Sequence, residues 1–180
     1  MERINKILKQ ELYQDYVQRI KLHEKDRIFC KHDMIHFLDV CRLAEIDWLN
    51  YRIFEIEKEY ETFPKLSEVR ERLSKLNREL IYAAGLLHDI GRWQEYEEGI
   101  PHEIASSKLA EEILQAAGYE RAEIEEIVLA ISNHRNKDIK EEMSLSGLLY
   151  RADKMSRPCY VCEAEAECDW SALKKNLNLI

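Results

Sequence analysis

The sequence predicts an all-α protein, a compact bundle of several helices, and three observations carry that expectation. Apolar residues recur in steps of three and four along most of the chain, the spacing that lines one face of a 3.6-residue helix. No stretch alternates apolar and polar residues with the period of a half-buried strand. Gly (5) and Pro (3) are too scarce for a turn-rich β fold or a disordered chain of 180 residues, while 46% hydrophobic residues supply a core.

In chain order, the spacing predicts a first helix over 3–22 and a second over 33–60. The third has the cleanest stripe: Leu66, Val69, Leu73, Leu76, Leu80, Ala83 and Leu87 stay on one face. Gly91 is its expected stop. The segment EYEEGIP breaks the pattern, and Pro101 suits the first turn of a helix that runs to Ala117 and closes at Gly118. Further helices are expected at 121–134 and 143–156, with a short one near the C-terminus. The segment around 50–80 reads as a helical hairpin inserted beside the core. No internal repeat or low-complexity linker divides the chain, so residues 1–180 read as a single domain.

Charge narrows the function classes. The formal net charge is -8, with no Lys/Arg-rich block, unlike the basic stripe of a dedicated nucleic-acid binder. An acidic protein that takes an anionic substrate needs a local source of positive charge, and bound metal ions supply one. No apolar run approaches the roughly 18 residues of a membrane span, and the N-terminal segment lacks a signal-peptide core. An odd number of cysteines, 5, fits a reducing compartment better than a disulfide framework. A cytoplasmic protein is expected.

The histidines carry the chemistry. His36 shares a face with Val40, Leu43 and Ala44, and His88 follows Ile81, Ala84 and Gly85. His102 aligns with Ala105 and Leu109, and His134 with Ile124, Ile127 and Ile131. Asp153 continues Leu145, Leu149 and Ala152 in the same way. Each side chain is therefore expected to point inward. A lone inward His is usually a hydrogen-bonded core residue, and Asp153 alone reads as a partner of Arg151 or Lys154 or as a cap. Together they need a common explanation, because an unpaired buried carboxylate is costly. Neutral imidazoles and carboxylates around a divalent ion satisfy one another, and helical bundles place such sites in their interior.

At this point the segments IHFLDVCRLA, LLHDIGRW and YRADKMSR resemble, in order, the three signature motifs of the HD superfamily. The likeness spans about residues 30–157, and the His88-Asp89 doublet followed by Ile-Gly is its most specific part. The resemblance implies an all-helical fold and a metal-dependent phosphomonoesterase or phosphodiesterase. It implies that His36, His88, Asp89 and Asp153 hold one ion. Two further histidines between the doublet and the last Asp are similar to the binuclear branch, in which Asp89 bridges and His102 and His134 hold a second ion. The chain departs from the pattern in its long His36–His88 spacing and in Arg92, where a Lys often stands. His32, one turn before His36, is either an outer-sphere residue or a rival first ligand. His23, within KLHEKDR, reads as solvated.

The expected cofactor is therefore one or two divalent ions, with Mn, Fe, Mg, Co, Ni and Zn all compatible. They would clamp a small phosphorylated substrate, a nucleotide among the candidates, and activate a water for in-line attack. Arg92, Arg135, Lys154 and Arg157 flank ligand positions as phosphate contacts or as solvated surface cations. Asp89, Arg92 and Lys154 are assigned to catalysis. Trp93 either walls the pocket or packs in the core. Two other classes compete: a diiron oxygenase with the same four-His, two-Asp ligand set, and a helical module that binds metal only for stability. Cys159 and Cys162 have C-x-x-C spacing, with Cys168 beyond. They read as ordinary thiols, or as part of a zinc site to which Cys30 or Cys41 folds back.

Overall fold

The computed structural model describes residues 1–59 and 77–178, and all of its regular elements there are helical. The α-helices are α1 (Glu2–Lys9), α2 (Glu11–His23), α3 (Met34–Glu59), α4 (Arg78–Leu87), α5 (Arg92–Glu98), α6 (His102–Ala117), α7 (Arg121–Asn133) and α8 (Leu145–Met155). Short 3-10 turns follow at Lys137–Ile139, Cys159–Val161, Glu165–Glu167 and Ala172–Lys174. The predicted all-α class holds.

Helix α4 is the axis of the bundle. Leu80, Ile81, Ala83, Ala84, Gly85, Leu86 and Leu87 are all buried, so it is apolar around its whole circumference, as a central helix must be. It packs against α1, α3, α6, α7 and α8. From α3 it meets Phe37, Val40, Cys41, Ala44 and Trp48, buried residues that recur at three- and four-residue steps. From α7 it meets Ile124, Ile127 and Ile131. Each such fully buried side chain stabilises the fold by roughly 1.5–3 kcal/mol relative to exposure.

The ends of the helices follow local chemistry. Asp33 Oδ1 accepts from the Ile35 and His36 amides at 2.9 and 3.1 Å, which starts α3 immediately before His36. Ser144 accepts from Gly147 N and starts α8. Glu120 and Glu123 form a reciprocal capping box on α7. Gly118 ends α6 as expected, at φ 87, with the Tyr119 amide reaching back to Leu114 O.

Several boundaries differ from the sequence expectation. The first helix is two, because Gln10 is extended (φ -69, ψ 130) and donates its side-chain amide to Ile113 O. That bond trades helix continuity for an anchor on α6. Within the described residues the third helix is capped by Asn77, whose side chain accepts from Leu80 N; residues 60–76, with the Leu66–Leu76 half of that stripe and most of the expected hairpin, lie outside the described residues. It ends at Leu87, short of Gly91. EYEE does not break the pattern but belongs to α5. Pro101 is the cap before α6, and the tail holds 3-10 turns where a short helix was expected. At the N-terminus, Arg3 bonds Glu79 and Glu123 together, tying α1 to α4 and α7.

Gly91 is a point of close approach between the turn after α4 and helix α6. A Cβ there would stand 2.3 Å from Ser106 N and 2.6 Å from Ala105 Cβ, and its own amide donates to Ser106 Oγ at 2.9 Å. Gly→Ala elsewhere in a helix gains about 0.5–1 kcal/mol, whereas overpacking costs about 1–3 kcal/mol. Gly91→Ala is expected to lower the urea midpoint, with overpacking winning. A variant as stable as the parent would show that α6 can yield there.

Candidate metal centre

The titratable side chains that converge in this bundle come from helix ends. His36 lies in the first turn of α3. His88 and Asp89 follow the last residue of α4. His102 opens α6, His134 caps the C-terminus of α7, and Asp153 lies in the last turn of α8. His88 and His134 use one local device. Each Nδ1–H donates to the carbonyl three residues back, Gly85 O at 2.8 Å and Ile131 O at 2.6 Å. This ties each ring to a carbonyl in the last turn of its own helix, one that in α7 also accepts the His134 amide, and turns Nε2 towards the interior.

The other rings have the same polarity. Ser156 donates its hydroxyl to Asp153 O at 2.8 Å, so its oxygen accepts from His36 Nδ1 at 3.2 Å. His102 Nδ1 stands 2.7 Å from Glu95 Oε2, an acceptor, so Nδ1–H donates there, with Arg92 Nη1 3.0 Å away as a second neighbour. With every Nδ1 donating outward, each Nε2 presents a lone pair inward. Yet His36 and His88 bring Nε2 to Nε2 at 3.2 Å, and His102 and His134 do so at 3.3 Å. Two lone pairs at that distance repel unless a cation lies between them.

Asp89 sits between the two pairs, 2% exposed. Its Oδ2 faces His88 at 3.5 Å and His36 at 3.8 Å, and its Oδ1 faces His102 at 3.3 Å and His134 at 3.7 Å. Among the described residues no N–H or O–H is aimed at Oδ1, so this buried carboxylate oxygen has no hydrogen bond there. The donor set is therefore two triads sharing one residue: His36, His88 and Asp89, and Asp89, His102 and His134. In each triad the ligand atoms lie within 4.8 Å of one another. Asp153 Oδ1 borders the first triad, 3.8 Å from His36 and 4.0 Å from His88, while its Oδ2 is ion-paired with Lys154. Nitrogen and carboxylate donors in this number suit a divalent transition metal, and the orphaned Oδ1 is the atom a second ion would satisfy.

Burial keeps the rings in the metal-binding form. It pushes the His36 and His88 imidazoles down to about 4, more than the neighbouring carboxylates can offset, and lowers His134 as well. Burial alone would raise the two aspartates, but Arg92 and the imidazoles hold Asp89 well below the usual carboxylate range. Lys154 does the same for Asp153.

His36, His88, Asp89, His102, His134 and Asp153 are thus brought together, and so is His32. His32 Nδ1 lies 2.5 Å from Glu24 Oε1, and its Nε2 is 3.8 Å from Asp89 Oδ2. It stands beside His36 and does not replace it. Glu24, 3% exposed, also accepts from the Tyr96 hydroxyl at 2.6 Å. Sequence reasoning missed Glu24 and Glu95, the carboxylates that orient His32 and His102. No sequence signal pointed to them: each lies seven or eight residues from its His, beyond one helix turn, so only the tertiary fold pairs them. Arg92 Nε is 3.6 Å from Asp89. Lys154 is Asp153's charge partner, whereas Arg151 pairs with Asp47. Arg135 is turned to the surface against Glu103. Trp93 packs on Tyr16 with ring centroids 5.7 Å apart, and His23 is half-buried against Glu97 at 2.8 Å.

Comparison with known proteins agrees with this geometry. The family model described as HD domain matches residues 35–158. A protein of Clostridium beijerinckii (strain ATCC 51743 / NCIMB 8052), described as "Uncharacterized protein", is 41% identical over 179 residues, 99% of each chain. No solved structure gives a significant match.

The depressed imidazoles set a pH dependence for the metal-free chain. Once unfolded, His36 and His88 take up protons near 6.5, but when folded only near about 4. Their contribution is fully present above the unfolded value and is lost as pH falls from about 6.5 towards 4. Lowered Asp89 and Asp153 extend the loss further into acid. Urea midpoints in chelator should fall through that window; a flat profile would contradict the burial of neutral rings.

Proposed function

We propose, since this chain belongs to the HD domain family, that it is a metal-dependent phosphohydrolase using two divalent ions held by the triads that share Asp89. The carrying observation is one wall of the cavity beside those triads. Arg92 and Arg157 line it, and Arg92 Nε and Arg157 Nη1 are buried without a hydrogen-bond partner among the described residues. The cavity, about 270 Å³, is lined by Arg27, His32, Arg92 and Arg157 among others. Unsatisfied guanidinium donors next to an imidazole–carboxylate cluster fit a phosphoryl group that supplies oxygens to both.

In this reading His36, His88, Asp89 and Asp153 hold one ion, and Asp89, His102 and His134 the other. Bound ions supply Lewis acidity towards the phosphoryl oxygens and the attacking water. The chain's own residues do the rest. Arg157, held over the Trp170 ring at 3.7 Å, and Arg92 orient the phosphate and carry its charge. Lys154 keeps Asp153 ionised and its Oδ1 turned inward. Glu24 and Glu95 fix the tautomers of His32 and His102, an outer-sphere duty generally worth about 10–100-fold in metal affinity or activity. His32 Nε2 faces the same cavity and is placed to hydrogen-bond a substrate oxygen. The substrate is small and phosphorylated, and a cytoplasmic location is the corresponding proposal for the protein.

Metal-loaded protein screened against phosphomonoesters, nucleotides and phosphodiesters tests the reading. His134→Ala should lower bound metal from two ions towards one and depress turnover. Asp89→Ala should be harsher, because both ions lose a ligand. Unchanged metal and hydrolysis in His134→Ala would leave a single-ion enzyme. Oxygen uptake by the iron form, with no phosphoester hydrolysed, would favour the oxygenase alternative.

Arg157→Ala removes a charged donor worth about 1.5–3 kcal/mol, so KM should rise by roughly 10–100-fold. Metal content should stay at the parental level. Arg157→Lys should recover little, lacking the planar fork. An unaltered KM would remove Arg157 from the substrate site.

A further inference from the structure

Residues 158–178 lack the core that would explain their order. They run through three 3-10 turns, and Ala164 is the only buried hydrophobic side chain among them. Tyr160, Val161, Trp170, Leu173 and Leu177 are exposed. Ordering backbone costs about 1–2 kcal/mol per residue. The ties that hold the segment are polar: Asn176 Nδ2 donates to Lys154, Met155 and Arg157 carbonyls, and Lys175 Nζ to Glu165 O. Bonds of this kind add about 0.5–1.5 kcal/mol each. Small segments with so little buried apolar surface are commonly stapled by disulfides or metal.

The cysteines supply a staple. Cys159, Cys162 and Cys168 follow a C-x2-C-x5-C pattern within the segment. Cys30, from the loop between α2 and α3, reaches the same place. Cys30, Cys159 and Cys168 line one cavity wall. The Cys30 thiol is pushed up first by burial and then by the adjacent Cys159, with Cys162 also within electrostatic reach. Lys175 in turn lies within reach of Cys168 and Cys159. Cys41 takes no part; it is wholly buried between α3 and α4, with Sγ 3.5 Å from Tyr82 O. All these thiols are free. Cations surround the cluster: Arg27 donates to Cys30 O at 2.8 Å, and Arg157, Lys174 and Lys175 line the cavity. Four thiolates around a metal centre carry net negative charge, which such a ring offsets.

We propose that Cys30, Cys159, Cys162 and Cys168 are the four ligands of an iron–sulfur cluster, separate from the histidine–aspartate centre. Among the described residues no three ligand atoms that include a thiol lie within 4.8 Å of one another, a spread too wide for one Zn²⁺ with sulfur at about 2.3 Å and suited to a multi-iron cluster bound by four cysteines; soft sulfur donors without imidazole or carboxylate also disfavour Mg²⁺ and Mn²⁺. The site clamps the loop that carries His32 to the segment that follows Arg157. Binding metal there and ordering the tail are one process.

The test uses the full chain, purified anaerobically. Zinc, iron and acid-labile sulfide are measured, with X-ray absorption at the edge of whichever metal is found. The expected result is iron in an all-sulfur shell with matching acid-labile sulfide and visible sulfur-to-iron absorption; zinc in place of iron overturns the proposal. Cys159→Ser and Cys162→Ser should lose this sulfur-ligated metal. Cys41→Ala should keep it, and so should His134→Ala, which affects only the nitrogen- and oxygen-ligated metal. If the serine variants fail to fold, the absorption spectrum of the parent decides alone. A parent with no sulfur-ligated metal, whether its thiols alkylate freely or Cys30 forms a disulfide with Cys159, overturns the proposal.

Discussion

The structure turns on the carboxylate of Asp89, buried at the meeting point of α3, α4, α6 and α7. One of its oxygens has no hydrogen bond among the described residues, and around it imidazole nitrogens stand 3.3–3.8 Å away with their lone pairs inward. Left uncompensated, that arrangement costs several kcal/mol. The fold nevertheless imposes it, because every ring is held by its other nitrogen. Gly85 O, Ile131 O, Ser156 and Glu95 each fix one tautomer. A cation is the one partner that resolves all the repulsions together, and the two oxygens of Asp89 divide the site in halves.

Helix ends make this possible. A side chain in mid-helix adds its polarity to an already satisfied backbone, whereas one at a C-terminus can repair a free carbonyl while turning its far side inward. His88 and His134 both turn inward from the ends of α4 and α7, each ring donating to a last-turn carbonyl. The packing around α4 then sets the separation of the two ends. Gly91 lets the turn after Asp89 lie against α6, so His102 at the start of that helix reaches Asp89 Oδ1. Core packing and ligand geometry are in this sense one constraint.

Much of this was legible in the sequence because apolar stripes report direction. The stripes of α3, α4, α6, α7 and α8 place His36, His88, His102, His134 and Asp153 inward, and all are at the centre. Gly118 and Pro101 marked the limits of α6 by their backbone preferences alone. What was illegible depends on tertiary partners. The break at Gln10 exists for a bond to Ile113 O, and nothing in its neighbours announces it. Glu24 lies in a charged run that reads as solvated, yet it is buried because His32 and Tyr96 both require its oxygens. Arg135 had the residue type of a phosphate contact, but its position beyond the α7 cap turns it to Glu103. Cys30 and Cys41 were equivalent candidates to join the late cysteines, and only the path of the α2–α3 loop separates them.

Two ligand sets of different chemistry can then fill independently within one small chain. The Asp89 centre offers imidazole and carboxylate, whose affinities rank the first-row metals by the general order for nitrogen and oxygen donors. The cysteine cluster offers only sulfur, and its partners are loops without a core of their own. Removing an ion from the first set leaves repelling lone pairs inside a packed bundle, so the cost falls on local electrostatics while α4 stays buried. Removing a metal from the second leaves residues 158–178 with polar ties alone, so the cost falls on the order of the segment. Arg157 lies at the junction, with Nη2 3.8 Å from Asp153 Oδ2 and its plane over Trp170. Its position depends on the bundle at one end and on the tail at the other. An iron–sulfur cluster on those thiolates would therefore bear on the proposed phosphate wall through Arg157 without touching any histidine.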